Sequence, residues 1–236
     1  MRKIIFIHGL LGSKHNFEYL EKEFGEYHTE SIELIGFGRE HKPRVKYDIN
    51  DFLDSLEEKL SLNNEKDIQL ILIGHSMGAL LAKELTIKHP NKVIKSFLIS
   101  YPFHDNEKVL ERYNYFDRKY AEGTWWTKIL CQTEIFYKWL FYPYFFLFKY
   151  KYRRSYMDFF KHTYHSAHGA IKNTIFEDKK DNLYAIADKV ILINGEKDRS
   201  VDFHFLNGFN NYTISSMGHI FFGYEKKIAD VIKSNI

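Results

Sequence analysis

The apolar run at residues 68–73 breaks at Gly74-His75-Ser76-Met77-Gly78, and a helix pattern starts at once, with Leu80, Leu81 and Leu85 at helical spacing and Pro90 closing it. A chain that passes from strand to helix in five residues turns sharply, and glycines on both sides of the turn allow it. The same alternation runs through both ends of the sequence. Further strand candidates are residues 4–8, a weaker 28–35, 93–100, 189–194 and 212–215. Helix patterns cover 16–24, 49–62 and 77–89, a short helix falls near 203–209, and a last one starts at about Phe221. Apolar strands separated by helices predict an α/β fold: a mostly parallel central sheet of about six strands with helices on both faces.

Residues 101–179 interrupt that pattern. The chain has 21 Phe, 17 Tyr and 3 Trp, and more than half of them lie between positions 101 and 165. This predicts a core built from residues 1–100 and 180–236, with a helical, aromatic-rich cap at 101–179 inserted after the fourth strand. An insert there lies over the carboxyl ends of the strands, where open α/β sheets take their ligands.

At 236 residues the chain can bury a core without covalent or metal staples. A formal charge of +3 is too thin a surplus for a nucleic-acid footprint. Cys131 stands alone, which excludes an internal disulfide and a thiolate-rich metal site and suits a reducing compartment. Arg2 and Lys3 precede apolar residues 4–7 as in a signal peptide, but that run is too short for one. No segment approaches the roughly 18 to 20 apolar residues of a membrane span. The expectation is a soluble, cytoplasmic protein.

The serine between Gly74 and Gly78 stands at a helix N-terminus, where the Met77 backbone N–H and the helix dipole favour developing negative charge. His8-Gly9-Leu10-Leu11-Gly12-Ser13 ends the first strand; its glycines admit a ligand close to the backbone, and the Leu10 N–H is the candidate second donor of an oxyanion hole. His8 itself reads as a structural residue of the turn. A serine hydroxyl needs a base, and the base needs an acid to orient it. Asp198, in Gly195-Glu196-Lys197-Asp198, follows the fifth strand, and His219, in Met217-Gly218-His219, follows the sixth. Both fall at the sheet edge that carries Ser76. Glu196 and Asp202 are rivals for the acid.

In this order, and with Gly36-Phe37-Gly38, these motifs resemble the capped α/β-hydrolases. The stretch from His8 to Lys14, with Asn16 and Phe17, is similar to small esterases of that family that cleave acyl esters and acyl thioesters. The resemblance implies a serine hydrolase with Ser76 as nucleophile, His219 as base and Asp198 as acid, no metal or organic cofactor, and a small acyl ester or thioester with an apolar acyl group as substrate. There are departures. Glu33 and Glu40 stand where the family usually has Asp and Ser around the G-x-G turn, and Ala79 stands where many relatives have a second Gly. The sequence begins at the strand bearing His8, so six strands are expected in place of eight. A serine nucleophile sets aside the aspartate-dependent epoxide hydrolases and haloalkane dehalogenases. The alternatives are a C–C bond hydrolase, lyase or acyltransferase using the same residues, or a non-catalytic ligand-binding relative. Leu80 and Leu81 stand where lyases of the fold often carry an Arg.

In the cap, Trp125, Trp126 and Trp139 are candidate pocket walls, while most other aromatics are expected to pack on one another. The basic run at 149–154 leaves room for contact with a lipid surface without stable insertion. His162, His165 and His168 fall three apart, with no carboxylate or thiolate partner, which argues against a metal site. Residues 166–170 read as the loop returning to the sheet.

Overall fold

The computed structural model describes residues 2–64, 67–102, 119, 121–133, 140–144, 146–147, 150–177, 181–201, 203 and 205–236. Six strands, β1 (Arg2–Ile7), β2 (Thr29–Ile32), β3 (Gln69–His75), β4 (Val93–Ile99), β5 (Val190–Gly195) and β6 (Asn210–Ile214), form one sheet in the order β2-β1-β3-β4-β5-β6. Every pairing is parallel. A parallel sheet needs cover on both faces, and the strands carry apolar residues at successive positions for that reason. Ile5, Ile7, Leu70, Leu72, Leu98 and Leu192 join one hydrophobic cluster, and their neighbours Ile4, Phe6, Ile71, Ile73, Phe97 and Ile191 join the other.

The helical stretch after β1 comprises α1 (Glu18–Glu21) between the 3-10 turns Lys14–Phe17 and Lys22–Phe24, so the helix expected over 16–24 is broken into three short pieces. Phe17, Leu20 and Phe24 still reach the second cluster, together with Ile228, Ala229 and Ile232 of the terminal helix. On the opposite face lie α2 (Ile49–Lys59), through Phe52, Leu53 and Leu56, and α3 (Met77–Lys88), through Leu80, Leu81 and Leu85. Each buried side chain of this kind contributes about 1.5–3 kcal/mol by leaving water.

Between β4 and β5 the described residues include α4 (Trp125–Gln132), α5 (Arg153–Phe159), α6 (Tyr164–Ala170) with a π-helical turn at Ile171–Ile175, and α7 (Asp181–Tyr184). The return at 166–170 is therefore helix, not loop. Thr163 and Ser166 cap each other's backbone N–H groups at the start of α6, a reciprocal arrangement that nucleates the turn. Ala170, Ile171 and Ile175 then pack into the main cluster, so this part of the insert shares the core of the sheet domain. The last helix, α8 (Glu225–Lys233), starts four residues after Phe221, with Gly223 at φ 92° in between. No helix among the described residues is long and apolar enough to cross a membrane.

Parallel strands end on one edge, so the loops after β1, β3, β5 and β6 meet there. The chain runs from β1 outward to β2 and then back to β3 on the other side of β1, which makes the ends of β1 and β3 the switch point where such sheets open a crevice.

Candidate active site

At that crevice Ser76 joins β3 to α3 with φ 53° and ψ −122°, a conformation that side-chain-bearing residues rarely adopt. The backbone is held there by its neighbours. The Ser76 N–H donates to Ile99 O at 2.9 Å, and the Ser76 carbonyl accepts from Ala79 N at 2.8 Å. A Cβ at Gly78 would collide with the carbonyl oxygens of Ile7 and His8, and one at Gly74 with the backbone of Gly78 and Ala79. Both glycines are therefore required by close approach, and the turn cannot relax into an ordinary loop. Met77 begins α3, so its N–H is among those a helix cannot use itself.

Ser76 Oγ lies 3.0 Å from His219 Nε2. On the far side of the ring, His219 Nδ1 is 3.1 and 3.3 Å from the two Asp198 oxygens and 2.8 Å from Ser200 Oγ. An ionised carboxylate only accepts, so Nδ1 carries the ring proton and Nε2 presents its lone pair to the Ser76 hydroxyl. The Asp198 side chain is inaccessible to solvent, whereas 38 % of the His219 side chain is exposed. Burial on its own would raise the Asp198 carboxyl. The hydrogen bond and charge of His219, with the Ser200 hydroxyl and amide, outweigh it and hold the group well below the usual carboxylate range. Glu196, the rival acid, instead accepts from Ser215 Oγ and Ser216 N in the neighbouring turn. Asp202 lies outside the described residues.

Two participants have no signature in the sequence. Ser200 donates both its N–H (2.9 Å) and its hydroxyl (2.6 Å) to Asp198 Oδ1, and nothing in its position two residues after Asp198 announces that role. His75 is buried beneath the cavity; its Nε2 lies 2.8 Å from the carbonyl oxygen of His219, and its ring meets Phe221 edge-on at 5.0 Å. Burial pushes its pKa down to about 3, so it stays neutral and donates through Nε2. His8 is structural as expected: Nε2 accepts from Leu34 N at 3.0 Å, Nδ1 faces Gly9 O at 2.8 Å, and burial lowers its pKa to about 4.

A cavity of about 680 Å³ opens over Ser76. Leu10, Leu11 and Gly12 line it on the β1 side, and Tyr156, Phe159, Ile171, Ile175, Phe221 and Phe222 supply most of its apolar wall. Neither Trp125 nor Trp126 is among its lining residues, and Trp125 is 75 % exposed. The face of α4 that turns inward carries Thr127 and Cys131, one turn apart, which leaves Trp125 and Ile129 facing solvent. Trp139 lies outside the described residues. The three spaced histidines diverge: His162 Nδ1 meets Phe159 O, His165 Nε2 meets Val45 O, and His168 stacks on Tyr164.

Known proteins share this arrangement of the chain. The model of the family described as alpha/beta hydrolase fold matches residues 3–223. The "Probable lysophospholipase BODYGUARD 4" of Arabidopsis thaliana is 29% identical over 229 residues, covering 85% of this chain and 54% of that protein. The "1-acylglycerol-3-phosphate O-acyltransferase ABHD5" of Rattus norvegicus is 32% identical over 105 residues, covering 41% of this chain and 28% of that protein. The chain thus spans about half, or less, of the length of these relatives. Among solved structures, a carboxylesterase of the thaumarchaeon Nitrososphaera gargenis superposes with a TM-score of 0.72 at 18% identity, over 99% of this chain and 89% of that one, a likeness of fold. Because the match runs over nearly the whole sequence and the sheet has the architecture that it implies, this chain belongs to the alpha/beta hydrolase fold family.

Proposed function

We propose that this protein is a serine hydrolase that cleaves a carboxylic ester or thioester with an apolar acyl group. The observation that carries the proposal is the 3.0 Å approach of His219 Nε2 to Ser76 Oγ at the floor of a largely apolar cavity. His219 takes the Ser76 proton as Oγ attacks the carbonyl carbon, and the N–H groups of Leu10 and Met77 receive the negative charge on oxygen. The tetrahedral species collapses to an acyl-enzyme as His219 hands its proton to the departing alcohol or thiol. Water, deprotonated by the same ring, then releases the acid and restores Ser76. Asp198 fixes the ring tautomer and stabilises the charged imidazolium. The insert at 101–179 acts in this reading as a cap, setting the acyl preference.

The names of the plant and rat relatives, a lysophospholipase and an acylglycerol-phosphate acyltransferase, agree with a fatty acyl group in the cavity. Acyl transfer requires only that another alcohol replace water at the second step. The test has two parts. A fluorophosphonate should label the wild type at Ser76 and leave Ser76→Ala unlabelled; failure to label would return the chain to the ligand-binding alternative. In a series of acyl esters, kcat/KM should then climb about fourfold per methylene, following roughly 0.8 kcal/mol for each buried group, until the cavity is full. A maximum at acetyl would overturn the apolar-acyl reading and leave the serine chemistry standing.

A further inference from the structure

We propose that the face carried by the described residues between 140 and 154 docks this protein peripherally on an anionic lipid surface. Seven of the thirteen exposed large hydrophobic residues described, Leu140, Phe141, Tyr142, Tyr144, Phe146, Leu147 and Tyr150, fall within eleven positions, each 44–71% exposed. Scattered apolar side chains are ordinary on a protein surface, but a concentrated patch marks a contact.

Cations border it. Lys151 extends over the rings of Tyr19 and Tyr152 at 4.4 and 4.9 Å, and the Arg153 guanidinium sits 4.0 Å from the Tyr150 ring. Arg39, Arg153, Arg154 and Lys161 line a niche of about 190 Å³ with Tyr142 and Phe146. Its one acid, Asp158, is buried and held by His15 and Lys161. Arg154 and Lys151 lie 3.6 Å from Glu18 and Glu225, yet their side chains remain 62% and 49% exposed, so both stay available to an outside anion. Aromatic and leucine side chains that enter the headgroup layer, edged by Arg and Lys that meet lipid phosphates, are the chemistry of an interfacial segment. A partner protein would supply no such continuous anionic plane.

The face is also joined to the cavity. Helix α5 contributes Arg153 and Arg154 to the niche, and Ser155, Tyr156 and Phe159 to the wall over Ser76. Phe159 and Ile220, both cavity-lining, are themselves 43% and 55% exposed. A single-chain lipid leaving the surface would meet apolar side chains along that helix. The docking does not depend on whether Ser76 turns over an ester.

The experiment is co-sedimentation of the full chain with vesicles of phosphatidylcholine alone and of phosphatidylcholine with about one third phosphatidylglycerol. The expected result is tighter partition onto the anionic vesicles, weakened about tenfold or more by raising salt to about 0.5 M. The pairs Leu140→Asp with Leu147→Asp, and Lys151→Gln with Arg154→Gln, should each lower it about tenfold while the thermal unfolding midpoint is unchanged. Absence of partition, or partition unaltered in both double variants, would overturn the proposal. So would a wild-type dimer, seen by sedimentation velocity, that the aspartate pair makes monomeric without any change in vesicle binding.

Discussion

Around Ser76 the chain is held by short backbone contacts and a linked set of hydrogen bonds; across the described residues of 140–154 large side chains stand in solvent. The first region is specified by backbone contacts: Gly78 against the carbonyls of Ile7 and His8, Ser76 N bonded to Ile99 O, His219 bonded through its own carbonyl to His75. The second is specified by composition, because a surface of Leu, Phe, Tyr, Lys and Arg keeps its chemistry through many local arrangements. The two regions should therefore respond oppositely to mutation. Small changes at the sheet edge ought to be severe, and large ones on the exposed face tolerated by the fold.

The sharpest separation is in turnover. Ser76→Ala or His219→Ala should cut kcat about 10⁴- to 10⁶-fold, and Asp198→Asn about 10⁴-fold, with circular dichroism unchanged. Ser200→Ala, which leaves Asp198 its bond to His219, should cost about tenfold. If Asp198→Asn retained near-wild-type turnover, the acid would have to be sought elsewhere. In stability, Gly78→Val should lose about 3 kcal/mol in denaturant unfolding, since the clash is with backbone, whereas Leu147→Asp should lie within about 0.5 kcal/mol of wild type. Equal losses at the two positions would erase the contrast.

The most selective effect is on pH dependence. His8 and His75 are neutral in the folded chain, with pKa values lowered from 6.5 to about 4 and about 3. Between those values and 6.5 the unfolded chain binds more protons, so stability is full above pH 6.5 and declines as pH falls. At pH 5 each histidine accounts for a loss of about 2 kcal/mol. His8→Gln should remove about half of that slope, and substitutions on the exposed face should leave it unchanged; a wild-type protein equally stable at pH 7 and pH 5 would contradict two neutral buried rings.

The same contrast decides what could be read in advance. The turn at Ser76 was legible because its constraint is written in residue types: only glycine fits at 74 and 78, and the buried strand before them is apolar. Asp198 and His219 were legible through their positions after apolar strands of a parallel sheet. Helix α6 was not, since its capping pair, Thr163 and Ser166, lacks the usual Glu or Gln, and a glycine stands within it at 169; that glycine is needed because Lys46 O lies against it. Trp125 and Trp126 are absent from the cavity lining for a related reason. Aromatic type says that a residue can wall a pocket, but the direction of Trp125 is set by which face of α4 carries Thr127 and Cys131. Ser200 and His75 act through hydrogen bonds that no periodicity records.

The bond from His75 to the carbonyl of His219 bears on a problem of tolerances. Ser76 follows β3 and His219 follows β6, three strand spacings away, roughly 14 Å of sheet. Thermal changes of twist at each interface would accumulate along that path, and a proton transfer cannot absorb an error of even one ångström. His75 precedes Ser76 in the chain and bonds the backbone carbonyl of His219 directly. The separation of Ser76 Oγ and His219 Nε2 is then referenced across one short contact, and drift in the intervening strands is bypassed.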